Sequence, residues 1–129
     1  MTRPLLTLCL AIVGITAGCA TASLSTAGKN VVPLTTAPGP ECENLGTVIG
    51  QGGGTFGGGW ISNDNLMQYA LNDAQNKAAE RGATHLQASA PQLGGGSGTT
   101  TTATVMGVAY KCPKGTAAPS GTASVPSKQ

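Results

Sequence analysis

Residues 62–90 read SNDNLMQYALNDAQNKAAERGATHLQASA, and this stretch decides the fold. Apolar residues recur in it about every four positions, a spacing that places them on one face of a helix. They are Leu66, Ala70, Ala74 and Ala78, joined by Met67 and Leu71. The pattern predicts an amphipathic helix over residues 64–81, with Ser62 or Asn63 as its N-cap and Gly82 as its C′ glycine. Because the stripe is mostly alanine, the helix can approach its sheet closely.

Segments with the composition of β-strands lie on both sides of the predicted helix. They are residues 29–35, 45–50, 84–90 and 101–112. Pro33 lies inside the first segment and restricts it to an edge strand, because proline cannot donate a ladder hydrogen bond. Residues 94–98 are rich in glycine, and we expect them to form a flexible hairpin connection between the last two strands.

The N-terminus has the features of a processing signal. Arg3 precedes an apolar run over residues 5–15, which is too short to span a bilayer, since about 20 residues are needed. The next residues, TAGC at 16–19, resemble the bacterial lipobox, although Thr16 replaces the usual Leu. The resemblance implies that residues 1–18 are a cleaved signal peptide and that Cys19 carries lipid, palmitate included. The alternative is an ordinary secretory signal followed by a chance cysteine.

The remaining boundaries and the location follow from this N-terminus. Ala20, rather than the Asp that retains lipoproteins in the inner membrane of enteric bacteria, follows Cys19, so we expect a cell outer membrane lipoprotein of a Gram-negative bacterium, facing the periplasm. Residues 19–28 are predicted to be a lipidated, flexible tether. Residues 29–112 then form the domain, and residues 113–129, rich in small residues and Pro, form a disordered tail.

Cysteine arithmetic leaves one candidate disulfide. Cys9 falls in the signal and Cys19 carries the lipid, so Cys42 and Cys112 remain, in a compartment that permits disulfides. Their bridge would close a loop of about 70 residues and stabilise the domain by about 4 kcal/mol in the chain-entropy model. The rival interpretation is a pair of free thiols or a metal site, for which the sequence offers no CxxC motif.

The topology agrees with that bridge. The element order is β-β-α-β-β, and a helical crossover makes the second and third strands run in the same direction. A hairpin then returns the fourth strand antiparallel, which brings Cys42 and Cys112 to one edge of the sheet. We therefore predict the α+β class: a single small domain with one helix packed on a small mixed sheet and one disulfide.

The composition excludes several functions. The net charge is +2 and no basic cluster exists, which argues against nucleic-acid binding. The single histidine, His85, alternates with apolar residues on the polar face of its strand, where we expect solvation rather than catalysis or metal binding. No nucleophile with a base and an orienting acid can be assembled. We expect a protein that is not an enzyme and needs no cofactor or metal.

The segment from Gln51 to Gly59 is dominated by glycine. Gly52, Gly54 and Gly57 match G-x-G-x-x-G, a fingerprint of dinucleotide binding, but helical periodicity begins only near Asp64, after the motif has ended. We therefore interpret it as a mobile surface loop.

Two large aromatic residues, Phe56 and Trp60, lie within this segment and directly after it, and two interpretations are open for them. They could form an exposed contact with a partner, because tryptophan is enriched at interfaces. Alternatively Trp60 covers a sheet edge or the start of the helix, which the shortage of aromatic residues favours.

Three groups of residues resemble a known family. They are Cys42, Leu45, Gly46, Val48 and Gly50; Asn76, Ala79, Gly82 and Ala83; and Gly107, Ala109, Tyr110, Lys111 and Cys112. Together they resemble an uncharacterised family of small bacterial outer-membrane lipoproteins. More distantly they resemble the Rcs phosphorelay sensor lipoprotein, whose folded domain is a small disulfide-bonded α/β unit.

These observations predict a lipid-anchored envelope protein with a structural or protein-interaction role in the periplasm. Its expected partners are the membrane, through the lipid on Cys19, and an envelope protein. The alternatives are an accessory of an envelope-stress sensor and a periplasmic module that binds a small ligand with its glycine-rich loop.

Overall fold

The computed structural model describes residues 21–54, 58–96 and 99–116 of the 129-residue chain. One helix and five strands follow in the order β1, β2, α1, β3, β4, β5. They are β1 (Val32–Leu34), β2 (Glu43–Gly53), α1 (Asn63–Glu80), β3 (His85–Ala88), β4 (Gln92–Gly96) and β5 (Thr99–Lys111). The α+β prediction is confirmed: one helix packs on a mixed sheet, and one disulfide joins Cys42 to Cys112.

Helix α1 begins and ends where its local signals predict. The Ser62 hydroxyl accepts a hydrogen bond from the Asn65 amide at 3.3 Å, which satisfies one of the free N–H groups of the first turn. After the last turn, Gly82 adopts φ = 78°, a left-handed conformation that glycine enters without a Cβ penalty. Helix α1 is thus capped at its start by a side chain and terminated at its end by a glycine.

The sheet has the order β1-β3-β5-β2, with β4 pairing to β5 beside β3. Strand β5 is its centre and pairs antiparallel with β2, β3 and β4, while β1 pairs parallel with β3 at one edge. Strands β2 and β3 therefore run in the same direction, as the crossover predicts, with β5 between them. The edge position of β1 also agrees with its proline.

Two expectations about the glycine-rich segments are wrong. The predicted hairpin connection at 94–98 is largely strand, because Gln92–Gly96 pair with Thr104 to Thr99 of β5. The order is therefore β-β-α-β-β-β. Strand β2 extends to Gly53 instead of ending at Gly50, so the first three residues of the predicted loop, 51–53, belong to the strand. In both places the strand forms through backbone pairing with β5, because glycine has no side chain that could favour a strand.

The core lies between α1 and one face of the sheet. The predicted alanine stripe is wholly buried there against a small set of apolar strand residues. The sheet contributes Val48, Leu86, Ala103, Val105 and Ala109. Val31, just before β1, closes one side of this core. The opposite face of the sheet carries no helix among the described residues.

Candidate functional site

The disulfide ties the beginning of β2 to the end of β5. Glu43 pairs with Lys111 at the last rung of the ladder, which brings the adjacent Cys42 and Cys112 within a Cα–Cα distance of 4.2 Å. The Cys112 amide also donates to the Thr84 hydroxyl at 2.9 Å, which anchors the bridge to the start of β3. The predicted pairing is confirmed, and it occupies both thiols that the rival interpretation would need.

A second feature is the docking of residues 22–31 along helix α1. Asn72 donates to the Ala22 carbonyl at 2.9 Å. Asn76 donates to the Ser23 carbonyl and accepts from the Ser25 amide, both at 2.9 Å. We call residues 22–25, held by these two asparagines, the N-terminal strap. The sequence places residues 19–28 in a tether outside the domain, whereas the structure packs the strap and the buried Gly28 onto the helix.

Two of the amides that hold this segment, those of Asn72 and Gln75, are themselves buried. Asn72 and Gln75 are 9% and 6% exposed, and both have partners: Asn72 also accepts from Gln68, and Gln75 donates to the Val31 carbonyl at 3.0 Å. Leaving such a buried amide unpaired costs about 1–3 kcal/mol, so the docked segment completes the fold. Sequence reasoning missed this contact, although asparagine, a poor helix former, recurs at the middle of the helix and signals a specific role there.

On its other flank, helix α1 covers the free edge of β2. Arg81 donates to the Thr47 carbonyl at 2.7 Å and, at 3.4 Å, to the Leu45 carbonyl. Lys77 donates to the Ile49 carbonyl at 2.8 Å, and Asp73 accepts from the Gln51 amide at 2.9 Å. We call Asp73, Lys77 and Arg81 the edge row. Asp73 and Lys77 also form an ion pair at 2.7 Å, which is part of this larger arrangement.

The uncovered face of the sheet forms a third feature. Side chains alternate along a strand, so the residues of β2 and β5 that lie between the buried ones point away from α1. Met106 is 55% exposed and lies directly opposite Ile49, which is 46% exposed. Beside them is a shallow groove of about 380 Å³. Its lining residues are Thr35, Thr47, Gln87, Ala88, Ser89, Met106, Gly107 and Val108. We call this surface the open face.

The glycine-rich segment has a packing role. A Cβ at Gly50 would overlap the Ala70 carbonyl, and one at Gly52 would overlap the Leu66 carbonyl, so both glycines let the helix lie close to β2. Gly52 thus belongs to a strand under the helix. Gly57, the last member of the G-x-G-x-x-G match, lies outside the described residues. The packing of Gly50 and Gly52 explains the glycines of this part of β2 without a phosphate ligand.

The aromatic candidates have different outcomes. Trp60 lies in a 3₁₀ turn at Gly58–Trp60, which ends two residues before the helix cap, and it is 96% exposed. It therefore covers neither a sheet edge nor the helix start, and the exposed-contact interpretation of this residue stays a prediction. Phe56 and the lipidation candidate Cys19 lie outside the described residues. His85 is half-buried, with its Nδ1 atom 2.8 Å from the Thr84 hydroxyl.

Within residues 21–54, 58–96 and 99–116, no group of three or more His, Cys, Asp or Glu side chains lies close enough to hold a metal ion. No helix of this described part is long and apolar enough to cross a membrane.

The fold and its surfaces define a small disulfide-bonded α+β domain whose first docked residue is Ala22 and whose last strand ends at Lys111, directly before Cys112. The chain belongs to the family described as a domain of unknown function, DUF4156, whose profile matches residues 22–112. The match begins at the first strap residue bound by the helix and ends at the second disulfide cysteine. The prediction of an uncharacterised bacterial family is confirmed at this level.

The relatives of the chain are bacterial. It is 34% identical over 100 residues to the "Uncharacterized protein YjeI" of Escherichia coli strain K12, an alignment that covers 75% of this chain and 86% of the relative. The proteins of the same name from Escherichia coli O6:H1 and Shigella flexneri match to the same extent. No solved structure matches the chain significantly.

Proposed function

We propose that this protein is a lipid-anchored component of the bacterial outer membrane that faces the periplasm and binds another envelope protein, without catalysing a reaction. The observation that carries the interaction role is the open face of the sheet. Exposed apolar side chains that are contiguous on a folded domain mark sites of interaction more often than isolated ones do.

The open face suits a protein partner better than a small polar ligand. Its centre is the Ile49 and Met106 pair, and the adjoining groove presents methyl, methylene and thioether groups beside a few hydroxyls and the Gln87 amide. Methionine is unbranched and polarizable, so it adapts to partner surfaces of different shape. Helix α1 buries the other face of the sheet, which leaves this face for contact.

The lipid anchor is proposed from the lipobox-like sequence, and the strap limits how far from that anchor the folded domain begins. The lipobox-like residues 16–19 end three residues before Ala22, whose carbonyl is bound by Asn72. An extended chain spans at most about 3.6 Å per residue, so Cys19 lies within about 11 Å of Ala22. The domain would therefore sit directly on the membrane surface, within reach of envelope proteins that are themselves anchored there.

Site-specific photo-crosslinking tests the interaction role. A photoreactive residue placed at Met106 should form a discrete crosslink to one envelope protein in intact cells. The matched control is the same residue at Glu80, which is exposed on helix α1 and away from the open face. Equal, diffuse crosslinking from both positions, or none from Met106, would contradict binding through the open face.

A further inference from the structure

The direction of the N-terminal strap indicates towards which end of the domain the chain before it leads. Along the strap, Ala22 is bound by Asn72, and Ser23 and Ser25 are bound by Asn76 one turn later. The strap thus runs in the same direction as helix α1. The strap, followed backwards to Ala22, is therefore directed towards the N-terminal end of the helix.

The proposed anchoring residue is only a short stretch of chain away from the middle of the helix, where Ala22 is bound. Asn72 lies nine residues into helix α1, which is about 13.5 Å along the axis from Asn63 at 1.5 Å per residue. Cys19, three residues before Ala22, has a reach of about 11 Å. This reach covers most of the distance of about 13.5 Å to the start of helix α1, and the strap is directed towards that start, so we expect a lipid on Cys19 to hold the start of the helix closer to the membrane than its end.

Trp60 lies at this same end and is almost fully exposed. Its 3₁₀ turn ends two residues before the Ser62 cap, and Trp60 is 96% exposed. An indole ring combines a large apolar body with one N–H donor, which is why tryptophan concentrates at the boundary between membrane and water. Leu93 of β4, 42% exposed, adds a second apolar side chain on the strands that pair with the first half of β5.

Charged residues are few at the Trp60 end of the domain and numerous at the opposite end. Between Gly58 and Asn72 the only charged residue is Asp64. The opposite end, around the disulfide, carries six charged residues: Glu41, Glu43, Glu80, Arg81, Lys111 and Lys114. An end with few charges approaches a bilayer at a lower desolvation cost than an end crowded with them.

We propose that Trp60 inserts into the headgroup region of the bilayer, so that the domain stands on the membrane with its Trp60 end down and its disulfide end pointing away. This orientation rests on the proposed lipid anchor at Cys19. It holds the open face roughly perpendicular to the membrane, where a neighbouring envelope protein can approach from the side.

The test uses the fact that Trp60 is the only tryptophan in the chain. The full-length protein is purified from envelopes, its lipid is verified by mass, and it is reconstituted into phosphatidylethanolamine and phosphatidylglycerol vesicles containing lipids brominated close to the headgroup. Trp60 emission should shift to shorter wavelength than in the unlipidated Cys19→Ser protein in buffer. It should also be quenched by the brominated lipids and protected from aqueous iodide.

The matched control moves the tryptophan to the other end of the domain. In Trp60→Phe/Lys114→Trp, the probe replaces the exposed Lys114 just after the disulfide. Its emission maximum should remain at long wavelength, and iodide should quench it. Verified lipid together with an unquenched Trp60 would overturn the orientation and leave the anchor intact. A protein without lipid on Cys19 would overturn both proposals, and the mass spectrum would show this before any vesicle is made.

Discussion

At the scale of single residues, Gly50 sets the distance between helix and sheet. A Cβ at this position would lie 2.6 Å from the Ala74 amide nitrogen and would overlap the Ala70 carbonyl, all of them fixed backbone atoms. Because an alanine stripe faces it, no flexible side chain can move aside to make room. The alanines on α1 and the glycines on β2 therefore work together: small residues on both surfaces allow a close contact between helix and sheet.

Gly50→Ala should lower the free energy of unfolding by about 1–3 kcal/mol, the usual cost of forcing an extra group into a packed interior. Gly54→Ala is the matched control, because a Cβ there meets no atom within 4 Å. Urea denaturation should show the control within about 0.5 kcal/mol of the parent protein. Equal losses in both variants would contradict the close approach of α1 to β2.

At the scale of elements, the edge row explains how the protein manages an eleven-residue strand with a free edge. Four residues of helix rise about 6 Å, and two residues of strand rise about 6.8 Å. The edge row, Asp73, Lys77 and Arg81, therefore recurs at nearly the same spacing as the outward-facing backbone groups of β2. Such an edge would otherwise be a template for pairing with another chain.

Lys77→Ala/Arg81→Ala should make the protein associate, because the carbonyls of Leu45, Thr47 and Ile49 lose their side-chain donors. Sedimentation velocity should show dimers or larger species that grow with concentration. The monomer itself should lose less than about 1 kcal/mol per side chain, since water replaces these exposed contacts. The control Lys29→Ala/Lys114→Ala removes the same charge from other exposed positions and should remain monomeric. Association of both variants would assign the effect to net charge instead.

The elements also show why some of the fold could be predicted from the sequence and some could not. Helix α1 was predictable because its stripe, cap and C′ glycine are local signals, and the disulfide followed from cysteine arithmetic and topology. Strand β4 was missed because Gly94–Gly96 have no side-chain pattern, and only pairing with the distant β5 makes them a strand. The strap was missed for the same kind of reason: its partners, Asn72 and Asn76, lie about 50 residues away.

At the scale of the whole molecule, contacts between distant parts of the chain close the domain at both limits. The disulfide closes a loop with a sequence separation of 70 and stabilises the fold by about 4 kcal/mol in the chain-entropy model. The strap attaches the beginning of the domain to helix α1. Since little chain remains between Ala22 and Cys19, a lipid on Cys19 would hold the folded domain close to the membrane. The proposed orientation depends on this short distance.

The mass of the mature N-terminus tests the lipid anchor most directly. The full-length protein would be expressed in a Gram-negative host, extracted from the outer membrane with detergent and digested, and its N-terminal peptide measured by mass spectrometry. We predict that this peptide begins at Cys19 and carries the added mass of acyl chains. The Cys19→Ser protein, which lacks the thiol, should yield no acylated peptide. A mature protein that begins elsewhere, or a Cys19 peptide without added lipid mass, would contradict the proposal that this domain is held at the membrane by its first residue.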